Sequence, residues 1–291
     1  MLGFSKDIYV FDVGSAATRI AKADCGILMR EPTVVAMPSS GERKMLAAGR
    51  EAVKLYNRFP EGITLKSPLK GGKVNDGYLL AAMLKKLFES STARLKHSIG
   101  RRAIVPIREN ISGNSKKVLL DAVKFAVSGS ATAVPSILCA ARGTSTYDKS
   151  FNGGTVVVDM GVKRTSAAVI CFGTLCTSIE LAYGACDINN MLCRYADAGE
   201  KAKQAVMPIA QMLETLFIQT PPELVGDIVD NGIVLAGGGT KADGICDMLS
   251  SLLNVKVIAD DTAGDAAVLG ALAMNNRRAE QKEEIKIAAI G

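Results

Sequence analysis

Short apolar runs rich in β-branched residues alternate along this chain with stretches whose apolar positions recur at helical spacing. The pattern predicts strands alternating with amphipathic helices, hence an α/β fold. Ile8 to Phe11 reads as a strand, and Glu31 to Met37 as another, followed by a polar turn at Ser39 to Arg43. Asn75-Asp76-Gly77 introduces a helix carrying Leu79, Leu80, Met83, Leu84, Leu87 and Phe88 on one face. Ala103 to Ile107 is a short buried strand, and Lys116 to Val127 a helix with Val118, Leu119, Ala122, Val123 and Ala126 inward. The second half repeats the plan: strands from 155 to 180, a helix from about Lys201 to Phe217, a strand at Gly232 to Ala236, and helices near 244–253 and 265–275. The Gly-rich, polar stretch from Gly143 to Gly154 separates the halves, predicting domains at 1–143 and 144–291.

The halves echo each other in detail. Tyr9-Val10-Phe11-Asp12-Val13-Gly14, with Thr18 beyond, returns 147 residues later as Val156-Val157-Val158-Asp159-Met160-Gly161, with Thr165 at the same offset. An apolar strand ending in Asp-x-Gly leads into a tight turn whose N–H groups can face an anion. Two such hairpins facing each other across a cleft clamp a nucleoside phosphate, each offering one Asp towards a metal. A third motif, Ile233 to Ala236 running into Gly237-Gly238-Gly239, sets backbone N–H groups beside a phosphate or ribose. Alone it reads as a plain turn; its weight comes from following two matched hairpins.

Composition narrows the classes. The chain has 291 residues, 48% apolar and 22% charged, enough for two packed cores. No apolar run reaches the roughly 18 residues that span a bilayer, and the first residues do not resemble a signal peptide. Seven cysteines without a Cys-x-x-Cys pair predict reduced thiols in a cytoplasmic protein. A single histidine, His97, excludes His-based triads and multi-His metal sites. Between Arg94 and Lys124 eight Lys or Arg face two acids, so this window holds the whole +6 surplus. An ordinary solvated face, an anionic membrane surface and nucleic acid are the readings of such a patch; base-stacking aromatics are not interleaved, which argues against nucleic acid.

With these motifs the chain resembles the actin superfamily of two-domain ATPases, and within it the MreB-like bacterial actins. Asp12-Val13-Gly14-Ser15 stands where that family has its first phosphate loop, and Glu31-Pro32-Thr33-Val34-Val35-Ala36 looks like its Glu-Pro-Ser-Val-Val-Ala stretch. Ala48 to Ala52 and Ser67 to Asp76 resemble its small subdomain, and Thr220 to Gly239 is close to a family signature. The resemblance implies an actin-like two-domain fold of duplicated ribonuclease H-like domains, with a small insert at about 33–74 and a C-terminal helix returning to the first domain. It implies ATP or ADP with Mg²⁺ as cofactor. Nucleotide contacts fall on Asp12, Gly14, Ser15, Ala16, Thr18, Gly161, Thr165, Gly237, Gly238 and Gly239, and metal contacts on Asp12 and Asp159.

Three departures modify those expectations. After Ile188 to Tyr195 the chain passes through Ala196 to Gly199 directly to the next helix, so the family's fourth subdomain is missing and with it adenosine contacts. The family's Gly-Gly-Gly-Thr-Thr turn is here Gly161-Val162-Lys163-Arg164-Thr165, putting side chains where bare backbone approaches phosphate, although Lys163 and Arg164 bring positive charge. The stretch that carries the family's water-positioning Glu aligns with Pro135-Ser136-Ile137-Leu138-Cys139-Ala140-Ala141, so no catalytic residue is assigned and hydrolysis is expected to be slow or absent.

The family's membrane contact implies a peripheral position at the inner membrane face, through Leu2 and Phe4 and through the loop carrying Leu95, Ile99, Arg101 and Arg102. The expected function is cytoskeletal: filaments of the chain itself or with another MreB-like protein, shaping or organising the cell. The alternatives are a nucleotide-independent adaptor for other filament proteins, and a sugar or acetate kinase of the same superfamily, for which no catalytic acid or base is found.

Overall fold

The computed structural model describes residues 7–95, 100–144, 153–194, 200–241, 244–259 and 261–275. They divide into two compact units, one of Met1–Pro135 with the stretch from Met274, the other Ser136–Ala273. The division falls one helix before the Gly-rich stretch expected to separate the halves.

In the first unit, β1 (Asp7–Val13), β2 (Ala17–Lys22) and β3 (Gly26–Pro32) form an antiparallel meander. The chain then leaves the sheet for a small three-stranded one, β4 (Val35–Pro38), β5 (Ala47–Ala48) and β6 (Ile63–Lys66), with α1 (Arg50–Arg58) against it. The ribbon β7 (Leu69–Lys70) and β8 (Lys73–Val74) follows. Next come α2 (Gly77–Thr92), β9 (Arg101–Ile107), α3 (Gly113–Val127) and β10 (Ser130–Pro135). Strands β9 and β10 run parallel to β1, giving the order β10-β9-β1-β2-β3.

Helix α2 starts where the sequence places it, because the Asp76 carboxylate accepts from Leu79 N and satisfies an orphan donor of the first turn. Its six expected inward residues are all buried. Helix α3 begins three residues earlier than its apolar pattern, since Ser112 caps it by accepting from Ser115 N. Both helices pack on Tyr9, Phe11, Ile20 and Val105, with Phe88 edge-on to Tyr9 at 4.9 Å.

The second unit opens with α4 (Ser136–Gly143), then the meander β11 (Thr155–Met160), β12 (Thr165–Cys171) and β13 (Thr174–Leu181). Helices α5 (Ala185–Arg194), α6 (Glu200–Ile218) and α7 (Pro222–Asn231) lead to β14 (Ile233–Ala236), α8 (Ile245–Leu253), β15 (Val257–Ile258) and α9 (266–275). The sheet order is β15-β14-β11-β12-β13, with β14 parallel to β11: the plan of the first unit repeated strand for strand. Helices α6 and α8 cover one face through Ile209, Leu213 and Leu249, and α4 covers the other through Ile137 and Ala141. Helices α4 and α9 meet backbone to backbone: a Cβ on Gly143 would lie 1.8 Å from Ala266 O, and one on Gly270 1.8 Å from Cys139 O.

One element differs from its sequence pattern. The single strand expected over 31–37 is broken at Thr33 and Val34, because Thr33 N donates to Ala16 O and its hydroxyl to Gly14 O. These bonds turn the chain from the large sheet into the small one. Between α5 and α6 only 195–199 intervene, so the described residues leave no room for a further subdomain there.

Candidate functional site

In the first unit the carboxyl ends of the parallel strands β1, β9 and β10 share one edge of the sheet, the edge where open α/β sheets receive ligands. The β1–β2 turn sits there. Gly14 N donates to Ala17 O at 3.0 Å, and a Cβ on Gly14 would lie 3.0 Å from that same oxygen, which keeps the position bare. Ser15 Oγ accepts from Gly72 N at 3.1 Å, tying the turn to the β7–β8 loop, and Ala16 at the tip is exposed.

Thr18, expected at the phosphates, points elsewhere. It is fully buried, and its Oγ1 lies 2.9 Å from Thr33 Oγ1. Thr33 spends its only hydroxyl hydrogen on Gly14 O at 2.6 Å, so Thr18 donates and Thr33 accepts. The same holds at the matching position of the second unit, where Thr165, also fully buried, donates to Tyr183 O at 2.8 Å. The repeated threonine clamps each hairpin from inside.

The register of β1 on β2 sets Asp12 opposite Arg19, and Arg19 Nη1 lies 3.2 Å from Asp12 Oδ2. Both side chains are about four-fifths buried, with 19% of Asp12 and 18% of Arg19 exposed. The carboxylate expected to serve Mg²⁺ thus stands beside a guanidinium held on the next strand. Among the described residues no group of three or more His, Cys, Asp or Glu could hold a metal ion.

In the second unit Asp159 and Gly161 share an edge with the glycine triplet, since β11 and β14 are parallel with Asp159 beside Ala236. Gly237 has φ +88°, and a Cβ there would fall 2.4 Å from Asp159 Oδ1. One on Gly239 would fall 2.7 Å from Met160 Sδ, whereas Gly238 faces open space. Packing therefore accounts for the first and third glycines, whereas a side chain at Gly238 would meet nothing within 4 Å.

The second turn is filled by its own chain. Gly161 N donates to Arg164 O, and the first N–H groups of α5, Ala185 N and Cys186 N, donate to Gly161 O and Val162 O. These donors at a helix N-terminus would otherwise suit an anion. Lys163 Nζ lies 3.4 Å from Asp187 Oδ1, and hydrogen bonding to Cys186 with the charge of Asp187 raises the Lys163 pKa. Arg164 pairs with Glu180 at 3.0 Å, a carboxylate only 7% exposed. The two cations expected to greet phosphate are thus engaged with acids of their own unit.

Other expected positions scatter. The stretch Ser136 to Ala141 lies in α4 with Ser136, Ile137, Cys139, Ala140 and Ala141 buried, and it brings no acid. Arg101 and Arg102 belong to β9 rather than to a loop, because the strand pairs them with Asp7 and Ile8. Arg101 also donates to Val127 O at 3.4 Å and lies over the Phe88 ring. Leu95 is half-buried; Leu2, Phe4 and Ile99 lie outside the described residues. No described helix is long and apolar enough to cross a membrane.

Sequence reasoning missed Arg19 and Glu31. A turn centred on Ser15 and Ala16 pairs residues whose numbers sum alike, so Arg19 opposite Asp12 was readable from spacing. Glu31 gave no local signal: its carboxylate accepts from Arg50 N at 2.6 Å at the start of α1, a favourable place for negative charge.

A family model described as MreB/Mbl protein matches residues 5–198 and 193–283. The cell shape-determining protein Mbl of Bacillus subtilis (strain 168) is 24% identical, covering 92% of this chain and 95% of its own length. The cell shape-determining protein MreB of Escherichia coli (strain K12) is 22% identical, over 88% of this chain and 89% of its own. Among solved structures, MreB5 of Spiroplasma citri bound to ADP superposes with a TM-score of 0.82 at 17% identity, covering 96% of this chain and 99% of its own. The MamK double helical filament does so at 0.74 and 17% identity, covering 94% and 99%.

Proposed function

The chain belongs to the MreB/Mbl protein family, with the actin-like α/β fold, and from that premise we propose that it is a cytoskeletal protein of the cell-shape type. It assembles into filaments with copies of itself or with another family member, in the cytoplasm at the inner membrane face. The observation that carries this reading is the match of the family model along both halves, 5–198 and 193–283. The filament described for MamK and the names of Mbl and MreB support the assembly and the cell-shape role.

Nucleotide binding is the finer part of the proposal. ATP or ADP uses the first hairpin, with the backbone of Gly14, Ser15 and Ala16 at the phosphates. The structures of MreB5 of Spiroplasma citri bound to ADP and to AMPPNP support it. Turnover is slow, because α4 lacks an acid to orient water. Membrane contact falls on Leu95, Arg94 and Arg102, basic residues near an anionic leaflet favouring a peripheral position.

A second reading, a nucleotide-independent adaptor that joins other filaments, is favoured by the self-filled second turn, where Lys163, Arg164 and the start of α5 are engaged internally. Negative-stain microscopy and sedimentation with and without ATP separate the two. Filaments that need ATP support the first reading. Filaments regardless of ATP, or pelleting only with a resident MreB, support the second, and a strictly monomeric protein under every condition overturns both.

A further inference from the structure

Two outward faces of the chain, one in each unit, complement each other in shape and charge. On α2, Tyr78, Ala81, Ala82, Lys85 and Lys86 follow one another three and four residues apart and so form a stripe along one side of the helix. With Phe125 of α3 they line an open groove in which Glu89 is the one acid. Tyr78 is 66% and Phe125 53% exposed, a large apolar surface for the outside of two helices. Lys85 Nζ lies over the Phe125 ring at 4.7 Å, and Lys86 Nζ donates to Leu46 O at 3.3 Å. The two ammonium groups thus flank the stripe, and among the described residues neither is ion-paired with an acid.

Helix α7 has the opposite character. Its exposed residues, Pro222, Glu223, Gly226, Val229 and Asp230, fall on one side of the helix. At about 100° per residue, Pro222 and Val229 form one edge of that side, Glu223 and Asp230 the other, and Gly226 the middle. The helix carries three acids and no Lys or Arg. Asp227 accepts from Gly154 N, whereas among the described residues Glu223 and Asp230 have no ion pair. Val229 is 53% exposed, and a Cβ on Gly226 would meet nothing within 4 Å, so the bare middle of the face lets another surface come close to the backbone.

We propose that α7 of one copy seats in the α2–α3 groove of a second copy, with Gly226 over Ala81 and Ala82, Val229 against the Tyr78 and Phe125 rings, and Glu223 and Asp230 beside Lys85 and Lys86. Charge complementarity between an all-acidic helix and the two lysines selects this occupant. Groove and helix are different surfaces, so the contact is heterologous and, repeated from copy to copy, extends a filament unless it closes into a ring. The inference rests on the self-assembly reading above and names a surface that serves it.

Sedimentation of the full-length chain over a range of concentrations tests the contact. Lys85→Glu with Lys86→Glu, and separately Glu223→Lys with Asp230→Lys, should each raise the concentration needed for assembly by about tenfold or more. All four changes in one chain, or the two double variants mixed, place opposite charges across the contact again and should restore assembly. Gly226→Arg, whose side chain enters open space in the free chain, should unfold at the wild-type temperature yet assemble poorly, which separates loss of the contact from loss of the fold. Double variants that both assemble like wild type overturn the proposal and leave the filament reading standing. So does a loss confined to the lysine pair, since the groove then receives a surface other than α7, or a failure of both charge-restored combinations to recover. A wild type that stays monomeric at every concentration overturns this contact and the filament reading together.

Discussion

Lys22 Nζ lies 3.2 Å from Asp7 Oδ1, with 8% of one side chain and 7% of the other exposed, and 2.9 Å from the more open Asp24. The hydrogen bond to Asp24, backed by Asp7, raises Lys22 above the usual lysine value of 10.5, and Lys22 in turn lowers Asp24 below 3.8. The raised lysine contributes stability that is complete below 10.5 and lost as pH rises further; the lowered carboxylate contributes above 3.8 and loses it as pH falls. Lys22→Met removes one partner of a carboxylate 7% exposed and should cost about 1–3 kcal/mol at neutral pH. Urea unfolding across pH should show the difference between wild type and variant flat from about pH 5 to 10, narrowing beyond each end. Asp24→Asn, at a side chain 67% exposed, should cost under about 1 kcal/mol.

The α4–α9 contact gives a second expectation. Gly143→Ala or Gly270→Ala forces apart two helices whose backbones already touch, at about 3 kcal/mol or more. Gly226→Ala, inside α7 with nothing within 4 Å of the new methyl, should instead stabilise by about 0.5–1 kcal/mol. Chemical denaturation of the three variants orders them. Equal effects at all three positions would show that the close packing of α4 on α9 is not tight in solution.

Recruitment to anionic vesicles should depend on salt and on Arg94 and Arg102. Reversing both to Glu should lower flotation by about tenfold or more, each basic residue near the surface being worth about 1 kcal/mol. Arg101 is a poor probe, because its guanidinium also holds Val127 O and covers Phe88. Unchanged flotation of the double variant removes this face from the membrane.

Phosphate release should stay near background even where ATP binds. Ser136, in the stretch where the family's acid is expected, lies buried in α4, and phosphoryl transfer needs an oriented nucleophile as well as a bound phosphate. Turnover well above the no-protein control would show that another group positions the water.

The sequence made most of the architecture legible, because period and caps agree locally. Asp76 and the six inward residues of α2 mark one helix unambiguously, and the repeated Asp-x-Gly turns announce two sheets of one plan. What escaped depends on partners distant in sequence. Thr33 breaks a run that reads as one strand because its hydroxyl and N–H serve the turn at Gly14 to Ala16. Thr18 and Thr165 resemble ligand-facing hydroxyls in the motif, yet their partners, Thr33 and Tyr183, decide that they face inward. Lys163 and Arg164 look available for phosphate until Asp187 and Glu180 are placed beside them.

The shared strand order β10-β9-β1-β2-β3 and β15-β14-β11-β12-β13 carries a kinetic consequence. Each meander joins strands adjacent in sequence, whereas β9 must find β1, and β14 must find β11, across long intervening chain. Loop closure across that distance is slower and entropically costlier, so each sheet has a fast side and a slow side. During refolding, pulse-labelled amides should gain protection in β1–β3 and β11–β13 first, leaving the outer parallel strands as the last edges exposed to another chain.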